Sequence, residues 1–114
     1  MPVIQVDWTQ NKSKEEKKKL IQNIVNCVSA EIKVPDEVVN VILHDIPEEN
    51  VRFTPAILNI SWSQTSDRNR EAKKIIAKLT DIITETTDIR PEKVVFFFHD
   101  LEGENVGVAG TPRA

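Results

Sequence analysis

Apolar and polar positions alternate along Val3-Ile4-Gln5-Val6-Asp7-Trp8, with Ile4, Val6 and Trp8 on one side and Gln5 and Asp7 on the other. That period predicts a short strand with one face turned to a core. The period then lengthens: Leu20, Ile21, Ile24, Val25, Val28 and Ile32 recur at helical spacing, predicting an amphipathic helix from about Lys14 to Ile32. Ser13 and Glu16 stand at the spacing of a capping box, in which each side chain satisfies an amide that the first turn leaves unpaired. Pro35 bars further helix. Val38 to His44 returns to a strand pattern, closed by a polar turn from Asp45 to Asn50.

After Pro55 the same order starts again. Ala56 to Trp62 reads as a strand, Asp67 to about Thr86 as a helix with the stripe Ile75, Ile76, Leu79, Ile82 and Ile83, and Pro91 precedes a strand from Val94 to His99. The halves match in detail. Trp8 and Trp62 hold corresponding places, and His44-Asp45-Ile46 with Glu49-Asn50-Val51 returns as His99-Asp100-Leu101 with Glu104-Asn105-Val106. The expectation is a single domain over residues 1–114 built from a duplicated βαβ unit, repeat one 2–54 and repeat two 55–114. Its fold class is α+β: a four-stranded sheet with two helices on one face. Because Phe96, Phe97 and Phe98 point alternately to both faces, an apolar face is left over, and a closed symmetric ring of copies is the expected way to bury it.

Composition narrows the function classes. A chain of 114 residues buries roughly 60–70% of its unfolded surface, enough for one core. The net charge of −3 offers no basic face for nucleic acid, and the lysine-rich run from Lys12 to Lys19 reads as a solvated helix face. No apolar stretch approaches the ~20 residues that cross a membrane, and no leader pattern precedes the first strand, so a cytoplasmic protein is expected. Cys27 has no partner for an internal disulfide and falls on the apolar stripe of the first helix, as core. Trp8 and Trp62 read as core, and His44 and His99, at matching strand ends, as structural turn residues.

One residue carries candidate chemistry. With Met1 trimmed, Pro2 becomes a free secondary amine, whereas every other proline nitrogen in a chain is an amide that neither gives nor takes a proton. Such an amine is a base or a nucleophile. Met-Pro alone is more often the start of a frayed terminus.

The proline terminus, the duplicated βαβ unit and a sheet in need of partners together resemble the tautomerase superfamily, which includes 4-oxalocrotonate tautomerase and macrophage migration inhibitory factor. The likeness runs over essentially the whole chain. Pro2-Val3-Ile4-Gln5-Val6 through Lys12-Ser13-Lys14-Glu15-Glu16-Lys17 is similar to the short bacterial enzymes, and Ile89-Arg90-Pro91-Glu92-Lys93-Val94 through Asn105-Val106-Gly107 to the end of the migration inhibitory factor. The resemblance implies a homotrimer and a keto-enol or double-bond tautomerase that acts on a small 2-keto or enol carboxylate, with Pro2 as general base and no metal or cofactor. Burial and neighbouring cations both favour a neutral amine. It further implies a substrate-binding role for Lys33, for Arg68 and Lys12 at matching places in the two repeats, and for Gln64 through its backbone amide. Taken alone, Lys12 and Arg68 read equally as exposed cations. Departures from the family pattern are Val95 and Phe97 where the migration inhibitory factor has tyrosine and asparagine, and Asn40 where the short enzymes have a second arginine. They imply a more apolar pocket. Two alternatives stay open: a hydratase or decarboxylase of the same superfamily, and a cytokine-like binding protein that keeps the fold without turnover.

Overall fold

Strand β1, Val3–Trp8, lies inside a four-stranded sheet and is followed by helix α1, Lys14–Ile32, and strand β2, Asn40–Asp45. The computed structural model describes residues 2–63 and 73–112. Strand β3, Ala56–Ser63, helix α2, Ile75–Thr86, and strand β4, Val94–Leu101, form the second unit. Within each unit the strands are parallel, β1 beside β2 and β3 beside β4. The units meet antiparallel at β1 and β3, giving the order β2-β1-β3-β4. The expected α+β architecture of two repeated units is present.

Register turns the alternation of the sequence into two faces. Ile4, Val6 and Trp8 of β1 and Ala56, Leu58, Ile60 and Trp62 of β3 are buried against Leu20, Ile24, Val28 and Ile32 of α1 and Ile75, Leu79 and Ile83 of α2. Each such large side chain contributes about 1.5–3 kcal/mol by leaving water. The two helices pack together over this face, and Lys78 pairs with Glu31 across them. At the start of α1 the capping box is complete, with Ser13 Oγ accepting from the Glu16 amide and Glu16 Oε1 from the Ser13 amide.

Three expectations need correction. Strand β2 begins at Asn40, because Asp36–Val38 wind into a 3-10 turn behind Pro35 before the chain extends. The face away from the helices is mixed rather than apolar. Half-exposed Ile42 and Phe97 stand on its outer strands, and on the two central strands polar Gln5, Asp7, Asn59 and Ser61 share the face with Val3 and Ile57. His44 and His99 are strand residues on that face. His44 Nδ1 lies 3.1 Å from Asp7 Oδ1, and His99 Nε2 lies 2.9 Å from Asn59 Oδ1, so matching places have different partners. The chain also closes with a hairpin that periodicity did not predict, β5 at Gly107–Val108 and β6 at Thr111–Pro112. Ala109 and Gly110 both have positive φ in its turn, as a tight two-residue hairpin loop requires. The beginning of the second helix expected at Asp67 lies outside the described residues.

Candidate active site

Pro2 is buried, and its carbonyl accepts the Asn40 amide at 2.9 Å, which extends the β1–β2 ladder by one bond. Since Val3 pairs with Asn40 on one side and Ser61 on the other, Pro2 sits at the end of the sheet where β2 begins and β3 finishes. Helix α1 runs back against β1, so its C-terminus arrives at this same end. Lys33, the first residue past α1, is exposed there and makes no side-chain bond or ion pair with a described residue.

The exit from α1 is built on one serine. Lys33 adopts the left-handed conformation, φ 57° and ψ 53°, and its amide donates to the Ser29 carbonyl. The Val34 amide donates to the same carbonyl at 3.2 Å, and Ser29 Oγ donates to the Val34 carbonyl at 2.6 Å. Three bonds from one residue fix the turn that presents Lys33.

Lys12 is placed differently. It precedes α1 at the far end of β1, and a strand of six residues spans ~20 Å. There it lines a hollow of about 290 Å³ with Trp8, Glu16, Lys19, Leu20 and Glu85. A single chain therefore brings Pro2 and Lys33 to one end and leaves Lys12 at the other. Gln64 and Arg68 lie outside the described residues.

Two constellations had not been expected from the sequence. Trp8 Nε1 donates to Asp45 Oδ1 at 2.8 Å, and Lys17 Nζ to Asp45 Oδ2 at 2.9 Å. In the second unit Trp62 Nε1 donates to Asp100 Oδ1 at 2.5 Å, and Lys73 Nζ to Asp100 Oδ2 at 3.0 Å. The donors hold both carboxyls below the ordinary carboxylate range, Lys17 chiefly and then Trp8 for Asp45, Trp62 chiefly and then Lys73 for Asp100. The Trp62 group stands at the Pro2 end, with the Phe98 ring centroid 5.4 Å from the indole and tilted 32° to it, and Lys73 Nζ 5.6 Å from the Phe98 ring centroid. The recurrence of tryptophan and aspartate in both halves was the signal that could have disclosed it. Partial burial pushes the Cys27 thiol up, against a smaller opposing effect of Lys78; the side chain is half-buried and packs against the core rather than inside it. Among the described residues no group of three His, Cys, Asp or Glu side chains could hold a metal, and no helix is long and apolar enough to cross a membrane.

Known proteins agree with this architecture. The family model described as Tautomerase enzyme matches the chain twice, over residues 2–61 and 57–113. No curated protein sequence matches at a significant level. Among solved structures, Pt0534 inactivated by 2-oxo-3-pentynoate is 26% identical with a TM-score of 0.76, the match covering 97% of this chain and 96% of that one. The wild-type fused 4-OT R7, an asymmetric trimer, is 20% identical with a TM-score of 0.78, covering 97% and 95%. A macrophage migration inhibitory factor-like protein from Entamoeba histolytica is 14% identical with a TM-score of 0.80, covering 97% of both chains. The last two likenesses speak for the fold. With two copies of the family's unit spanning nearly all of its length, the chain belongs to the tautomerase family.

Proposed function

We propose that the chain, with Met1 removed, is a cofactor-independent tautomerase of small 2-keto or enol carboxylates, in which Pro2 is the general base. The observation that carries this reading is the placement of Pro2: a buried proline, tied by its carbonyl to Asn40, at the sheet end where Lys33 is exposed without a partner among the described residues. A free terminal amine there is neutral more readily than one in water, because burial and a nearby cation both disfavour its protonated form. The neutral nitrogen takes the proton from the carbon next to the carbonyl, the electron pair moves onto the carbonyl oxygen, and the enolate is stabilised by cations. Returning the proton to oxygen or to another carbon completes the exchange.

In this reading Lys33 holds the substrate carboxylate. Arg68 and the Gln64 amide complete the anion site from the segment that follows Ser63, whose strand ends beside Pro2. Lys12, at the opposite end of β1, serves only a Pro2 of another copy. The working unit is a homotrimer. Trimers among the fused 4-OT structures support this, as does a sheet whose two outer strands carry half-exposed Ile42 and Phe97 on the face no helix covers.

The experiment uses the reagent that inactivates Pt0534. A neutral Pro2 nitrogen adds across the alkyne of 2-oxo-3-pentynoate, forming a nitrogen–carbon bond while the proton passes to the neighbouring carbon. Intact mass should therefore rise by the whole reagent, peptide mapping should place it on Pro2, and Pro2→Ala should not be labelled at the same rate. A protein that retains Met1, or labelling spread over lysines, would contradict the reading.

A further inference from the structure

Lys33 is one of only two residues other than glycine with positive φ among the described residues, the other being Ala109 in the hairpin turn. A left-handed helix exit is ordinarily given to glycine, because a Cβ crowds the following carbonyl. A cation gains from the dipole at a helix C-terminus, but that gain needs no left-handed backbone, which lysine adopts at a cost that glycine does not bear. Inherited strain of this kind gathers where function demands a particular presentation.

The duplicated fold supplies its own control. Helix α2 occupies the same place in the second unit and ends without a left-handed residue: Thr87 is extended, φ −138° and ψ 174°, with Thr87 Oγ1 donating to the Ile83 carbonyl and accepting the Ile89 amide. One βαβ unit thus leaves its helix unstrained, and the helix whose C-terminus lies at the Pro2 end of the sheet leaves through a strained lysine. At the position corresponding to Ser29 stands Thr84, whose hydroxyl turns back to the Asp81 carbonyl inside the helix rather than forward to the exit. The architecture does not require the Ser29 clamp.

We propose that Ser29 is a positioning residue for Lys33: its carbonyl and hydroxyl hold the chain in the left-handed turn that keeps the Lys33 ammonium at the Pro2 end, ready for the substrate carboxylate. The inference rests on the tautomerase reading above. It adds that the binding cation is held under strain by a residue that never touches substrate.

The test compares wild type with Ser29→Ala, Ser29→Thr, Lys33→Gly, Lys33→Ala and the double variant Ser29→Ala/Lys33→Gly, by melting temperature and by steady-state kinetics on phenylpyruvate. Losing one hydrogen bond that aims the cation should raise KM about 3- to 10-fold in Ser29→Ala with a smaller change in kcat, and Ser29→Thr, which keeps the hydroxyl, should restore it. Lys33→Gly should melt above both wild type and Lys33→Ala while losing roughly 10- to 100-fold in kcat/KM, because it relieves the turn and removes the cation. In the double variant the serine change should cost no further activity, since no cation remains to be aimed. An equal kinetic cost of Ser29→Ala with and without Lys33, an unchanged KM in Ser29→Ala, or a Lys33→Gly protein that melts no higher than Lys33→Ala would overturn the proposal while the tautomerase reading stands. A wild type with no turnover overturns both.

Discussion

Trp8 and Trp62 are 1% and 5% exposed, and each brings into the core an indole N–H that has to find an acceptor. Asp45 and Asp100 provide it from neighbouring strands. Asp45→Ala strips the acceptor from a buried donor and should cost about 1–3 kcal/mol. Asp45→Asn keeps an oxygen for the indole and loses only the Lys17 pair, which is partly exposed and worth about 0–1 kcal/mol. Urea unfolding of the two variants measures the difference, and equal costs would mean that the ion pair rather than the indole bond matters. The tryptophans were legible as core from their apolar neighbours. Their acceptors were not, because donor and acceptor lie 37 or 38 residues apart and periodicity carries no information over such a span. Ser29 escaped for another reason: a lone polar residue in a helix looks like surface until the chain beyond it turns back.

At the scale of elements, both long helical stripes end where the sequence led us to expect, at Ile32 and Thr86. Helix α1 has the expected bounds because a capping box starts it and a sustained stripe defines it. Short elements were missed where turns rather than periods decide. The 3-10 turn at Asp36–Val38 uses up the residues expected to open β2, and strands of two residues, β5 and β6, are too brief to alternate. The bonds that tie β2 to α1 through Asp45, and β4 to Lys73 through Asp100, make these contacts sensitive to acid. Both carboxyls have lowered folded-state values, so their contribution is fully present above the ordinary carboxylate range and is lost as pH falls through the lower folded-state values. An Asp45→Asn/Asp100→Asn variant should accordingly lose less stability than wild type between about pH 5 and pH 2. Denaturation midpoints across that range provide the check, and parallel curves would contradict the assignment.

For the whole molecule, the repeat was legible because two halves with matching landmarks imply two copies of one unit; the antiparallel meeting of β1 with β3 was not, and it is what lets two right-handed crossovers that lead outward from the sheet centre keep both helices on one face. Nor was the character of the uncovered face legible. Three consecutive phenylalanines suggested an oily surface, whereas Phe96 and Phe98 pack against the core and Phe97 alone reaches the far side, 51% exposed. Its mixed composition suits an interface that joins polar as well as apolar side chains. Sedimentation equilibrium should show a trimer, and Phe97→Asp should shift it toward monomer by burying an unpaired charge. A wild-type monomer at micromolar concentration would remove the homotrimer from the account.

The proposed activity depends on the amine of Pro2, and the most direct measurement is kcat/KM for the enol–keto exchange of phenylpyruvate or 2-hydroxymuconate by the Met1-free protein, set against Pro2→Ala across pH. A positioned general base contributes about 10²–10⁴-fold. Wild type should exceed Pro2→Ala by roughly that factor, and its kcat/KM should rise with pH as the amine loses its proton. Equal rates for the two proteins over a panel of enol acids would contradict the central claim and leave a member of the tautomerase family that keeps the fold without proline chemistry.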